Sequence, residues 1–316
     1  MTIEDNIKKA RPSIKQSSVN TYLNCLQKIK HSMKLSSKLD DTKFLYDFDK
    51  VMKIINESEK ITTQKNKLTC VIVALSSDEN PKQKLIDKYQ KELKERNDTY
   101  NNFLKKQEKT ESQTKNWIEY KDIVKVANDL MKQVKKFKNN DKFSKAEFNK
   151  FQDLILVRTH LDFPMRNNLS EMRVVSRDEY DKIPNKEKNE NNYLIVNSKS
   201  KKTIQLNNFK NVKTIGPKSF VLSTKLNNLY ETWLKHNKSG WLIVQKTDKN
   251  NPVTSNQITK YLISIFKEYY PDKNISSSML RHIIISHYNK DEPTLKEIEK
   301  KNDAIEDKFM HSAGVN

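Results

Sequence analysis

A chain of 316 residues is longer than one hydrophobic core usually organises, so two domains are expected. Only 35% of its residues are hydrophobic, and no stretch approaches the 18 consecutive apolar residues of a membrane helix, so no membrane-spanning helix is expected. The formal net charge of +20 excludes an acidic substrate-mimic and points to a polyanionic partner, because lysines that neutralise phosphates release condensed counterions.

Only seven of the 60 basic residues are arginine. Part of the lysine content therefore reflects a composition rich in Lys and Asn alike, but the excess over Asp and Glu remains. Met1 to Ala10 holds no hydrophobic signal region, and the two cysteines, Cys25 and Cys70, both fall on apolar helix faces. Buried reduced thiols and an unsecreted, intracellular protein are expected.

In chain order, Val19, Tyr22, Leu23, Leu26, Ile29 and Met33 form a stripe at steps of three and four, with Ser17 or Ser18 placed to cap it. A second stripe runs Phe44, Phe48, Val51, Met52 and Ile55. A third runs Leu68, Val71, Ile72 and Leu75 behind the cap candidates Thr62 and Thr63. Pro81 opens a very polar helix carrying Ile86, Tyr89, Leu93, Tyr100 and Phe103. Residues 105–116 contain no apolar side chain and read as a linker between a helical domain at 1–104 and a second domain at 117–316.

Trp117, Ile123, Val126, Ala127, Leu130 and Val134 restart the helical period, and Phe148, Phe151, Leu154 and Ile155 continue it. Short β-like runs follow at Met172–Val175, Tyr193–Val196, Thr203–Leu206 and Phe220–Leu222. Helical spacing returns with Leu226, Leu229, Tyr230 and Trp233, then Ile258, Tyr261, Leu262 and Ile265, and again from Met279 to Ile285. The fold class is therefore mainly α with a small antiparallel β-sheet.

Four short phrases in the second half carry chemistry. Arg166 stands in Phe163-Pro164-Met165-Arg166-Asn167-Asn168. The hairpin Thr203–Leu222 presents Lys210 and Lys213 in its loop. Ser278-Met279-Leu280-Arg281-His282 lies on a helix, and His311-Ser312 follows the helical pattern of Ile305 and Phe309. In this order the phrases resemble the tyrosine recombinases, and the Pro-x-Arg-Asn wording is similar to integrases of large DNA viruses and virophages.

The resemblance spans nearly the whole chain and implies a helical core-binding domain followed by a catalytic domain. It implies that Arg166, Arg281 and His311 hold a DNA phosphate. It also implies that Lys210, or alternatively Lys213, protonates the departing 5′ oxygen. Planar guanidiniums suit that task, because they bind two phosphate oxygens in fixed geometry. The chain departs from the family pattern at Ser278, where His or Lys is usual, at Leu169, where bacterial members often carry an acid, and at Met310, where Gly is usual.

His282, Lys65 and Lys67 are candidate DNA contacts. The family nucleophile would fall just past Asn316, and Tyr288, Tyr270 and Tyr269 precede His311 in the wrong order. The chain is thus expected to be inactive as written, either trimmed before its nucleophile, the favoured reading, or natively inactive. Double-stranded DNA is the expected partner, with a homotetramer on DNA at full length and a monomer without it. The resemblance further implies a protein encoded by a virus or mobile element.

No cofactor or metal is expected, since the sequence offers no carboxylate cluster with metal spacing, no glycine-rich phosphate loop and no Cys/His zinc pattern. A non-catalytic basic helical DNA- or RNA-binding protein is the alternative.

Overall fold

Apolar residues that return every three or four positions have one stable use in water, which is to bury a helix face, and helices dominate both halves of the chain. The computed structural model describes residues 2–35, 38–106, 108–197, 200–290 and 297. The described chain divides into one unit ending at Glu108 and a second of Lys109–Glu292.

The first unit holds helices α1 (Ile3–Ala10), α2 (Gln16–Ser32), α3 (Phe48–Asn56), α4 (Ile61–Ser76) and α5 (Gln83–Lys105). Its centre is α4, which buries Leu68, Cys70, Val71, Val73, Ala74 and Leu75 against α2, α3 and α5. The expected caps are corrected here. The helices α2 and α4 begin before Ser17 and Thr62, and their N-cap positions, Lys15 and Lys60, make no side-chain cap bond. In the first turns, Gln16 donates to Glu4 of α1, and Gln64 donates to the Ser58 carbonyl.

Phe44 is not on the helix of Phe48. It belongs to a short 3-10 turn, and Asp47 caps α3 behind it. Both cysteines are free, Cys70 buried and Cys25 half-buried. Distant in sequence, they meet across α2 and α4, where Cys70 donates to Cys25; this lowers the Cys25 thiol below its ordinary value and raises that of Cys70.

The stretch expected as a bare linker is partly helical. The α5 helix runs to Lys105, and α6 (Glu111–Asn116) forms behind a reciprocal Thr110–Gln113 capping box, a polar signal that apolar periodicity does not register.

The second unit is built around α8 (Lys145–Asp162), buried on nearly every face from Phe148 to Leu161 and packed by α7 (Tyr120–Lys135), α12 (Thr224–His236), α13 (Ser255–Lys267) and α14 (Ser277–Tyr288). Its buried Gln152 behaves like a strand residue. Its Nε2 donates to the Val244 carbonyl and its Oε1 accepts from the Val244 amide, each at 2.9 Å.

A four-stranded sheet lies between α8 and α12, in the order β1 (Arg173–Ser176), β2 (Asn192–Val196), β3 (Thr203–Leu206) and β4 (Lys218–Val221). The expectation of an antiparallel sheet is corrected to a mixed one, because β1 pairs β2 in parallel. The connection between them crosses over through two short helices, α9 (Arg177–Lys182) and α10 (Asn185–Glu190), and a crossover brings the chain back in the same direction. The remaining pairs are antiparallel. Between β3 and β4 the loop folds into one turn of helix, α11 (Val212–Ile215). It ends at Gly216, whose φ of +71° few side chains tolerate.

Among the described residues no helix is long and apolar enough to cross a membrane, and no cluster of three His, Cys, Asp or Glu side chains could hold a metal ion.

Replacing Gln152 with Ala orphans both buried backbone groups of Val244. We expect a loss of about 2–6 kcal/mol of stability, read by denaturant unfolding, at about 1–3 kcal/mol for each unsatisfied group.

Candidate anion-binding site

The α8 helix stops because Phe163 takes an extended conformation and Pro164 cannot continue it. Met165 and Leu169 then turn inward and are buried, which leaves Arg166 exposed between them. Asn167 pins this segment to α13 by donating to the Ser255 carbonyl and to Thr259 Oγ1, both at 2.9 Å. The Phe163 ring packs on Phe220 of β4 with centroids 5.3 Å apart, so the sheet edge is held beside the arginine.

Arg281 sits on α14, where Leu280, Ile283 and Ile284 are buried and draw the helix down onto the core. Its Nε is buried and has no hydrogen-bond partner among the described residues. Burial, then the charge of Arg166, lowers its pKa below the ordinary arginine value, although a guanidinium stays charged at any working pH.

Lys210 is exposed in the turn after β3, and one side chain ties that turn to the arginine segment. Asn192 Oδ1 accepts from the amides of Asn207 and Asn208 at 3.0 and 2.9 Å. Its Nδ2 donates to the Asn208 carbonyl at 3.0 Å and to the Asn168 carbonyl at 3.4 Å.

These segments enclose a cleft of about 500 Å³ lined by Arg166, Lys210, Lys218 and Arg281, with Met165, Phe209, Ile215 and Phe220 among its apolar walls. None of the four cations forms an ion pair with a described residue, whereas Arg173 and Lys150 elsewhere in the unit are paired with Glu187 and Glu268. Leu169 is fully buried and contributes no charge. Four uncompensated positive side chains around one partly apolar cleft attract an anion.

The neighbouring His282 is half-buried, and burial, then Arg281 and Arg166, push its pKa below the ordinary value, so it is neutral at pH 7.

The structure brings together Arg166, Lys210 and Arg281 and sets His282 beside them. It leaves Lys213 and Ser278 outside the cleft lining: Lys213 is exposed on α11, and Ser278 is exposed in the first turn of α14. Between the two lysine candidates, only Lys210 lines the cleft. Lys218 was missed, although strand alternation carries the signal: Lys218 and Phe220, two apart on β4, both face the cleft.

His311 and Ser312 lie outside the described residues. In the first unit, Lys67 donates to the Ile54 carbonyl, near the end of α3, and Lys65 stands 4.1 Å from the Tyr100 ring centroid, so both serve internal contacts. No tyrosine lines the cleft among the described residues. Tyr288, the last in the chain, hydrogen-bonds Tyr120, whose own pKa is pushed up to about 12 by that bond and by burial. Compared with models of known families and with curated proteins, the chain matches none.

Asn192→Ala should release the lysine turn while the strands stay paired. The amides of Asn207 and Asn208 lose their acceptor, and hydrogen exchange there should accelerate by about 5–13-fold relative to those of β2 and β3, consistent with a hydrogen bond worth about 1–1.5 kcal/mol.

Proposed function

We propose that the second unit binds duplex DNA and holds one backbone phosphate in the cleft of Arg166, Lys210, Lys218 and Arg281, as part of a strand-cleaving and rejoining reaction of the tyrosine-recombinase kind. The observation that carries this reading is the convergence of Arg166, Lys210 and Arg281, far apart in sequence, on one cleft that holds no described counter-charge.

The chemistry follows from the charges. A tyrosine hydroxyl attacking phosphorus builds negative charge on the non-bridging oxygens, and the two guanidiniums stabilise it more strongly in the transition state than in the ground state. As the P–O5′ bond breaks, Lys210 gives its proton to the departing oxygen, and the phosphate remains on the tyrosine as a 3′-phosphotyrosine. A returning 5′ hydroxyl reverses the step. The bond energy is conserved in the covalent intermediate.

The reaction needs a tyrosine after His311, and Tyr288 is the last in this sequence. The chain as given should therefore bind DNA without forming a covalent adduct. An extended chain carrying a downstream tyrosine should form one on a nicked suicide duplex, seen as a shifted band on a denaturing gel. Arg281→Ala should slow adduct formation by about 10²–10³-fold, by analogy with loss of an oxyanion donor, while duplex binding weakens far less. Binding with no adduct on any duplex would instead identify a non-catalytic DNA-binding protein.

His282 provides an independent check. Its folded-state pKa is depressed, so the stability linked to its neutral form is present above about pH 6.5 and lost as pH falls through the depressed value. An anion in the cleft opposes that depression, so binding takes up a proton. Duplex affinity should rise as pH is lowered from 7.5 to 5.5, and His282→Gln should flatten most of that rise.

A further inference from the structure

Five arginines lie in the second unit, and their partners sort them. Arg173 pairs with Glu187, and Arg177 with Asp181 and Asn197. Arg166 and Arg281 pair with no described residue and line the cleft described above. Arg158, on α8, is the fifth: half-buried, it makes no hydrogen bond or ion pair with any described residue. It opens into a separate cleft of about 350 Å³, shared with Lys135, Lys225 and Asn128 and walled by Met131 and Leu229.

A half-buried guanidinium has five donors that lose water as it is covered, and an apolar wall returns none of them. A charged partner from outside the unit resolves that deficit, and a tetrahedral oxyanion matches the planar fork. The nearest acid in sequence, Asp162, is engaged at the start of α12, where it accepts from Ser223 Oγ at 2.8 Å.

The two clefts share two chain segments. The run through α8 carries Arg158 and then Arg166, and the run from β4 into α12 carries Lys218 and then Lys225. Resting on the DNA-binding reading above, we propose that the Lys135–Arg158–Lys225 cleft is a second phosphate site. It takes a backbone phosphate of the same duplex whose reacting phosphate occupies the first cleft. It holds the duplex in place and takes no part in the chemistry.

The test uses the full chain and a random-sequence duplex of roughly 20 base pairs, with affinity followed by fluorescence anisotropy across a salt series. The variant is Arg158→Met with Lys225→Met, which keeps the aliphatic stems against Met131 and Leu229, and thermal melting confirms that it folds. Its affinity should fall about 5–20-fold at low salt. The slope of log K against log salt should shrink by about 0.9 for the one phosphate lost. Combined with Arg166→Ala, the losses should add, as for independent sites.

An unchanged slope and affinity in a folded variant that binds duplex overturns the second site alone. Failure of the wild-type chain to bind duplex at any salt overturns the DNA reading and this inference with it. A parallel titration with inorganic phosphate separates the two sources of the anion. If free phosphate binds wild type but not the variant while the duplex slope is unchanged, the cleft is a free-phosphate site and the duplex proposal is wrong.

Discussion

The second unit depends on one constraint, the burial of α8 on nearly all its faces. A helix so largely enclosed must satisfy most of its buried polar side chains internally. Three polar residues of α8 become fasteners: Gln152 bonds the Val244 backbone, Thr159 bonds the Tyr230 hydroxyl at 2.7 Å, and Asp153 meets Lys246 at 2.7 Å. Asp153 illustrates the cost, since burial raises its carboxyl pKa despite the lysine beside it. Once α8 is fixed, its abrupt end at Pro164 determines where Arg166 emerges.

Bringing like charges together works against folding, and the unit does so with apolar packing and neutral hydrogen bonds. Leu280, Ile283 and Ile284 hold α14 onto the core with Arg281 at the cleft. The amides of Asn167 and Asn192 fix the two flanking segments without contributing any charge that would offset the cations. An acid at either asparagine would weaken the field that the cleft projects. Burial first, and the neighbouring cations second, lower the pKa values of His282 and Arg281.

Much of the architecture was legible in the sequence because it is written at short range. Helical stripes located α2, α4, α7, α8, α12 and α13, and the β-like runs found all four strands to within a few residues. Helix starts were less legible at Ser17 and Thr62, because α2 and α4 begin before them, behind lysines that make no side-chain cap bond. Strand direction was not legible at all. The parallel pairing of β1 with β2 arises from the crossover through α9 and α10, and no residue pattern within either strand encodes it.

The sequence by itself determined the residue types available to the cleft, a mainly helical chain with a small sheet, and an excess of positive charge. Only the tertiary structure decided which cations meet. It selected Lys210 over Lys213, added Lys218, left Ser278 at the surface, and exposed Arg158 as an unpaired guanidinium in a cleft of its own. The physical reason is that hydrophobic periodicity acts over one or two helical turns, whereas charge convergence is set by how buried faces pack across the whole unit.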